Sequence, residues 1–218
     1  MFEQFKGASG IAFDCDGCLL DSMDAWHSVE YSLIEATGVP WTQAQLEEMR
    51  AAPMSGAAKI FHERYGLMDS NEDIVKYMHD TMWRYYTTEA QMRPGAAAFF
   101  SRLRAEGIPC CIVSSTPEKY LRAGLAHVGI LDELATVVST EEAGLSKQDP
   151  AIYRLALDAM GARAESAWGF DDSLYAIRVM NAVGMRTVGT YDADDAGTFE
   201  GLAAEADLVI RSFEELLG

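Results

Sequence analysis

Ile11-Ala12-Phe13-Asp14-Cys15-Asp16-Gly17 decides the fold of this chain. A short apolar run that stops at once on two acidic residues and a glycine reads as a buried strand ending at Asp14. The chain beyond it changes character. From about residue 23 to 88 the pattern is helical throughout. Thr42 with Gln45 forms a capping box, Gly38 and Gly66 act as helix stops, and Ser70 opens a last long helix. On that helix Ile74, Met78, Met82 and Tyr85 share one face, a stripe that reads as packing.

After Pro94-Gly95 the chain alternates strictly. A helix at about 95–106 leads to a strand at Ile108 to Val113 and a helix from Pro117. A strand at Thr136-Val137-Val138 precedes a helix from Pro150 to Met160, and a strand at Ala167 to Phe170 precedes a helix through Met180. The strand Arg186 to Gly189, a short helix, the strand Leu208-Val209-Ile210 and a terminal helix complete the order. Strands alternating with helices of this length predict an α/β fold, a doubly wound, Rossmann-like parallel sheet. The helical block is too long for a crossover and is expected to form its own lobe. The expected division is 1–18 plus 91–218 for the core and 19–90 for the inserted all-helical domain.

The chain has 218 residues, 49% of them hydrophobic, enough for one large core with an insertion. Its formal net charge is −17, which repels nucleic acid and anionic membranes. The same field opposes a phosphorylated ligand, so any phosphate site needs a local cation. No basic-then-apolar leader and no membrane-length apolar stretch is visible, so the protein reads as cytoplasmic. Cys15 and Cys18 match a C-x-x-C spacing, but Cys110 and Cys111 are neighbours on a strand and point to opposite faces. They cannot both complete a tetrahedral site with the first pair, and zinc or disulfide chemistry is not expected.

In a doubly wound sheet, ligands bind beyond the C-terminal strand ends. There the first strand offers Asp14 and Asp16, and the second offers Ser114-Ser115-Thr116. Lys147 comes after the third, and the fourth ends in Asp171-Asp172-Ser173. Any one of these alone reads as a cap, a turn former or a surface charge. Together they bring four carboxylates to one rim, and such a cluster either takes up protons or recruits a cation. An all-oxygen set favours Mg²⁺. With Asp16 carrying a proton, three negative charges at Asp14, Asp171 and Asp172 balance Mg²⁺ plus Lys147, and the site can admit a phosphate dianion.

These residues resemble the haloacid dehalogenase superfamily over nearly the whole chain. Phe13-Asp14-Cys15-Asp16-Gly17-Cys18-Leu19-Leu20-Asp21-Ser22 is similar to the first motif, and Val113-Ser114-Ser115 to the second. Lys147-Gln148-Asp149-Pro150-Ala151-Ile152-Tyr153 resembles the third, with Gln148 where Pro is usual, and Gly169-Phe170-Asp171-Asp172-Ser173 the fourth. The resemblance is to members with a helical C1-type cap, such as beta-phosphoglucomutase and phosphoglycolate phosphatase. It implies that Asp14 is the nucleophile and forms an aspartyl phosphate, while Asp16 protonates the leaving oxygen and then activates water. It further implies that Asp14, the Asp16 backbone carbonyl, Asp171 and Asp172 hold or surround Mg²⁺. Ser114, with Ser115, and Lys147 would then bind phosphoryl oxygens.

Asp16 disfavours the metal-free dehalogenase branch, which lacks this second Asp, and nothing marks Lys59 or Lys76 as the lysine of the phosphonate-cleaving branch. Beta-phosphoglucomutase is the closer rival. Trp26 stands where it has a His, with His27 one place off, and Met54 stands where it has an Arg, with Arg50 out of register. A receiver-like phospho-acceptor fits neither the helical insertion nor Asp16, and an inactive ligand-binding relative does not fit the intact acidic set. The expectation is a Mg²⁺-dependent phosphatase acting on a small phosphorylated metabolite. Arg50, Lys59, His62, His79 and Trp83-Arg84-Tyr85-Tyr86 are candidates for setting its specificity.

Overall fold

The computed structural model describes all residues except 52–53 and 193–197, and the side chains of Glu47, Arg50 and Ala51 are also outside the described set. The chain forms two compact units, 1–23 with 90–218, and 24–89.

The first unit is built on a six-stranded parallel sheet. Its strands are β1 (Gly10–Phe13), β2 (Cys110–Ser114), β3 (Thr136–Ser139), β4 (Ala167–Asp171), β5 (Arg186–Thr190) and β6 (Leu208–Ile210). They lie in the order β3-β2-β1-β4-β5-β6, the doubly wound order with its switch point between β1 and β4. Successive strand residues face opposite sides, and the two faces are filled differently. Phe13 and Phe170, with ring centroids 4.7 Å apart, point to the side where Phe5, Phe99 and Phe213 cluster around them. Ala12 points the other way, into a core shared with Ile152, Tyr153 and Ala156 of one helix and Ala176, Ile177 and Met180 of the next. On that face Gly169 is closely packed: a Cβ there would lie 2.1 Å from the Met180 sulfur, and that side chain would have to shift. The residue after Phe13 and the residue after Phe170 therefore turn to the Ala12 side. These are Asp14 and Asp171.

The second unit contains most of α1 (Met23–Ala36), then α2 (Gln43–Ala51), α3 (Met54–Tyr65) and α4 (Asn71–Thr88). The Thr42 backbone N–H donates to Gln45 Oε1 at 2.8 Å, closing the capping box that opens α2. Ser70 caps α4 by accepting from the Asp73 N–H, while Gly38 and Gly66 take left-handed conformations just past their helices. Trp41 stacks on Tyr65 at 4.8 Å and lies 5.1 Å from Phe61, tying the segment before α2 to α3. The buried stripe of α4 is Ile74, Met78, Met82 and Tyr86, so Tyr86 replaces the expected Tyr85. The i, i+4 spacing keeps Tyr86 on the line of Met78 and Met82, and Tyr85 turns toward the flank.

The remaining helices belong to the first unit: α5 (Ala96–Ala105), α6 (Glu118–His127), α7 (Thr140–Ala143), α8 (Pro150–Met160), α9 (Leu174–Val183) and α10 (Phe199–Glu205). The unit boundary falls after Met23 and not after Cys18, because residues 19–21 are stitched back to the core. Arg93 N donates to Leu19 O, and Asp21 N donates to Gln91 O, each at 2.9 Å. The expected terminal helix is a 3-10 turn at Phe213–Leu216. No helix among the described residues is long and apolar enough to cross a membrane.

Candidate active site

Asp14 and Asp171 meet because β1 and β4 are neighbours in register. Phe13 lies opposite Phe170, and the Asp14 N–H donates to the Phe170 carbonyl at 2.8 Å. The two carboxylates emerge side by side at the switch point. Lys147 comes to them from the loop before α8, a helix held in place by its apolar face and by Asp149, which caps it through the Ala151 N–H at 2.9 Å. The Lys147 ammonium is bonded to Asp14 Oδ1 at 2.7 Å and to Asp171 Oδ2 at 2.8 Å, all three side chains being more than nine-tenths buried. Asp171 turns its other oxygen to the Ser173 N–H at 2.9 Å, and Asp172 accepts from the Ser173 hydroxyl at 3.3 Å.

Asp14, Asp171 and Asp172 each place an oxygen within 4.8 Å of the others, and all three are buried. Lys147 compensates one of these charges, leaving two negatives in a buried site. The consequence shows in Asp14, whose carboxyl is pushed up to about 7: burial raises it, Lys147 opposes, and Asp171 adds to the rise. Burial alone would lower the Lys147 ammonium, yet Asp14 and Asp171 hold it well above its ordinary value. A divalent cation closes the charge count, and carboxylate oxygens suit a hard ion. The residues fit Mg²⁺. The nearby thiols do not compete for that role, because Cys15 and Cys18 are fully buried and burial pushes both well up, keeping them protonated.

Asp16 stands apart from this trio. Its Oδ1 accepts from the Ser22 hydroxyl at 2.6 Å and its Oδ2 from the Thr116 hydroxyl at 2.8 Å. Its carboxylate is thus oriented from the loop after β1 and from the loop after β2 together. Ser114 is buried, and its hydroxyl accepts from the Thr116 N–H at 3.2 Å, whereas Ser115 is exposed. Thr116, named among the strand-end hydroxyls, and Ser22, quoted in the first motif, are residues to which reading the chain gave no role. Thr116 lies 100 residues from Asp16 in sequence, so only the sheet order makes them partners. Tyr153, the last residue of the third motif, was likewise given no role. Its buried hydroxyl has no hydrogen-bond partner among the described residues, and Asp171, Lys147 and Asp14 are among the charges that act on it.

Within the helical unit, one specificity candidate is packed away and others make local or surface contacts. Tyr86 is fully buried and its hydroxyl accepts from Trp26 Nε1 at 3.2 Å. His62 Nδ1 lies 3.1 Å from the Leu67 carbonyl, and Arg84 pairs with Glu89 at 3.2 Å. Lys59 pairs with Glu63 at 3.7 Å in the open, and Trp83 is largely exposed. The Arg50 side chain lies outside the described residues.

Comparison with known proteins bears on the family of the chain. A phosphoglycolate phosphatase of Yersinia pseudotuberculosis is 26% identical over 222 residues, covering 98% of this chain and 94% of that protein. A phosphorylated carbohydrates phosphatase of Thermotoga maritima is 22% identical over 178 residues, 82% of each chain. Among solved structures, a beta-phosphoglucomutase of Clostridium difficile superposes with a TM-score of 0.73 at 18% identity, covering 96% of this chain and 93% of that one. The family model of the haloacid dehalogenase-like hydrolases matches residues 8–184, and the chain belongs to that family.

Proposed function

We propose that this protein is a Mg²⁺-dependent phosphatase that hydrolyses a small phosphate monoester through a phosphorylated Asp14. The observation that carries this reading is the buried group in which Lys147 bridges Asp14 and Asp171 beside Asp172. It supplies a nucleophile, a fixed cation and a divalent-metal donor set within one strand-end cluster. The names of the phosphatases to which the chain is similar support the same reading.

Asp14 would attack phosphorus with the oxygen not bonded to Lys147, while the bond from phosphorus to the leaving oxygen breaks. Asp16, fixed by Ser22 and Thr116, would give its proton to that oxygen, so the alcohol leaves neutral. Water would then surrender a proton to Asp16 and attack phosphorus, breaking the acyl-phosphate bond and returning Asp14 with inorganic phosphate. Lys147 and the Ser114–Ser115 segment would hold the transferring oxygens, where charge spreads in the transition state. Asp14, Asp172 and the Asp16 carbonyl would hold Mg²⁺, with Asp171 beside them orienting Lys147. When bound, the ion would supply the positive charge that lets a phosphate dianion approach three carboxylates.

Phosphate release should require Mg²⁺, stop in a chelator and fall when Ca²⁺ is added in excess. Calcium takes more oxygen ligands at longer distances and would engage both Asp14 oxygens. Undiminished turnover in a chelator excludes the metal role. Thr116→Val keeps shape but removes one of the two hydroxyls orienting Asp16. We expect about a 3–10-fold loss of kcat, the worth of one such hydrogen bond, with melting temperature little changed; unaltered kcat would show that Ser22 alone suffices.

A further inference from the structure

Arg93 opens the Arg93-Pro94-Gly95 turn that leads into α5, and it is nine-tenths buried although nothing in the reaction calls for a guanidinium there. Its Nη1 donates to the Gly17 carbonyl and to Asp192 Oδ2 at 2.7 Å. Its Nη2 donates to the Tyr191 carbonyl at 3.0 Å and to the Arg211 carbonyl at 3.2 Å. One side chain therefore fastens the loop after β1 to the segments that leave β5 and β6. The acidic partner Asp192 compensates its charge locally, so its effect on the carboxylate cluster is geometric.

The contact with Gly17 is the informative one. Gly17 is the residue after Asp16 and takes a left-handed conformation, φ +73°, which few other residues adopt without strain. Its N–H donates to the Leu20 carbonyl at 3.1 Å, closing the turn 17–20. Arg93 grips that turn at both ends, by side chain at Gly17 and by its own N–H at Leu19 O, 2.9 Å. The same turn delivers Ser22 to Asp16. We propose that Arg93 is a positioning residue for Asp16, setting the backbone and the Ser22 contact that aim its carboxyl at the leaving oxygen. This assignment rests on the phosphatase reading above. It needs the planar fork of arginine, since a lysine ammonium cannot serve four acceptors spread over three segments.

The test uses Arg93→Lys and Arg93→Ala in the Mg²⁺-loaded protein, with kcat/KM measured on two esters of different leaving group. An aryl ester such as 4-nitrophenyl phosphate departs with little help from an acid, whereas an alkyl ester such as phosphoglycolate needs the Asp16 proton. If Arg93 acts through Asp16, Arg93→Lys lowers kcat/KM about 10–100-fold on the alkyl ester and less than about 3-fold on the aryl ester. Arg93→Ala should show the same asymmetry between the two esters. Equal losses on both esters, or no loss, overturn the assignment. So does failure of both variants to fold, which would make Arg93 a staple of the core. A wild-type protein that hydrolyses neither these nor other monoesters refutes the phosphatase reading itself, and this inference with it.

Discussion

Asp14→Asn should abolish phosphate release, by roughly 10⁴–10⁶-fold, the range for losing a nucleophile that acts together with its partners. The amide keeps the shape and the strand-end position but has no anionic oxygen to form the phosphoenzyme. The fold should survive and, without metal, gain. In the wild-type protein burial raises Asp14 to about 7, against an ordinary value near 4, so the metal-free fold favours the protonated form. That contribution is fully present below the unfolded value and lost as pH rises through about 7. In chelator, the wild-type melting temperature should therefore fall between about pH 4 and 7, and Asp14→Asn should flatten the fall. Lys147 still has Asp171 at 2.8 Å in the variant, so no buried ammonium is stranded. Thermal melts across pH, with phosphate release on the same samples, check both halves. Turnover above a trace in a variant shown by mass to be undeamidated would refute the covalent step.

Asp16→Ala should cost about 10²–10⁴-fold, the worth of a positioned acid or base. The cost should be greatest for alkyl esters, where one residue serves both leaving-group departure and water attack. On the proposed mechanism the same residue would decide between hydrolysis and group transfer to a second hydroxyl. Trp26, where a mutase has a His, donates its single N–H to Tyr86 within the helical unit, so it is committed to packing. With Trp26 so engaged, the proposed phosphoenzyme should lose its phosphoryl group to water activated by Asp16. The measurement tracks products from β-glucose 1-phosphate with a trace of the 1,6-bisphosphate. Inorganic phosphate, from this or another monoester, without glucose 6-phosphate supports hydrolysis. Accumulating glucose 6-phosphate with little free phosphate would overturn it.

Much of the core was legible from the chain, because its signals are local. The helix Pro150–Met160 was readable to the residue, since Asp149 caps it, Pro150 suits its first position and Gly161 ends it in a left-handed conformation. The strand Leu208–Ile210 and the stop at Asp14 were equally plain, as an apolar run ended by charge has few other readings. Elsewhere local signals misled by two to five residues. The apolar run at Ile108 suggested a strand start, but β2 begins at Cys110, because pairing with β1 sets where the ladder opens. Likewise the division after Cys18 tracked the change of periodicity, whereas backbone bonds from Leu19 and Asp21 to Arg93 and Gln91 hold residues 19–23 with the core.

By itself the sequence determined which residues carry charge and hydroxyls to the strand ends, and that these would need a cation. Only the tertiary structure decided how they divide. Sheet order put β4 beside β1, so Asp14 and Asp171 share Lys147, while β2 on the other flank sent Thr116 to Asp16. It also gathered Gly17, Tyr191 and Arg211 around Arg93, a residue with no motif around it to mark it. The reason is physical. Propensity and periodicity act over a few residues of chain, but a hydrogen bond between residues 100 positions apart exists only once strand neighbours and register are chosen by the packing of the whole sheet.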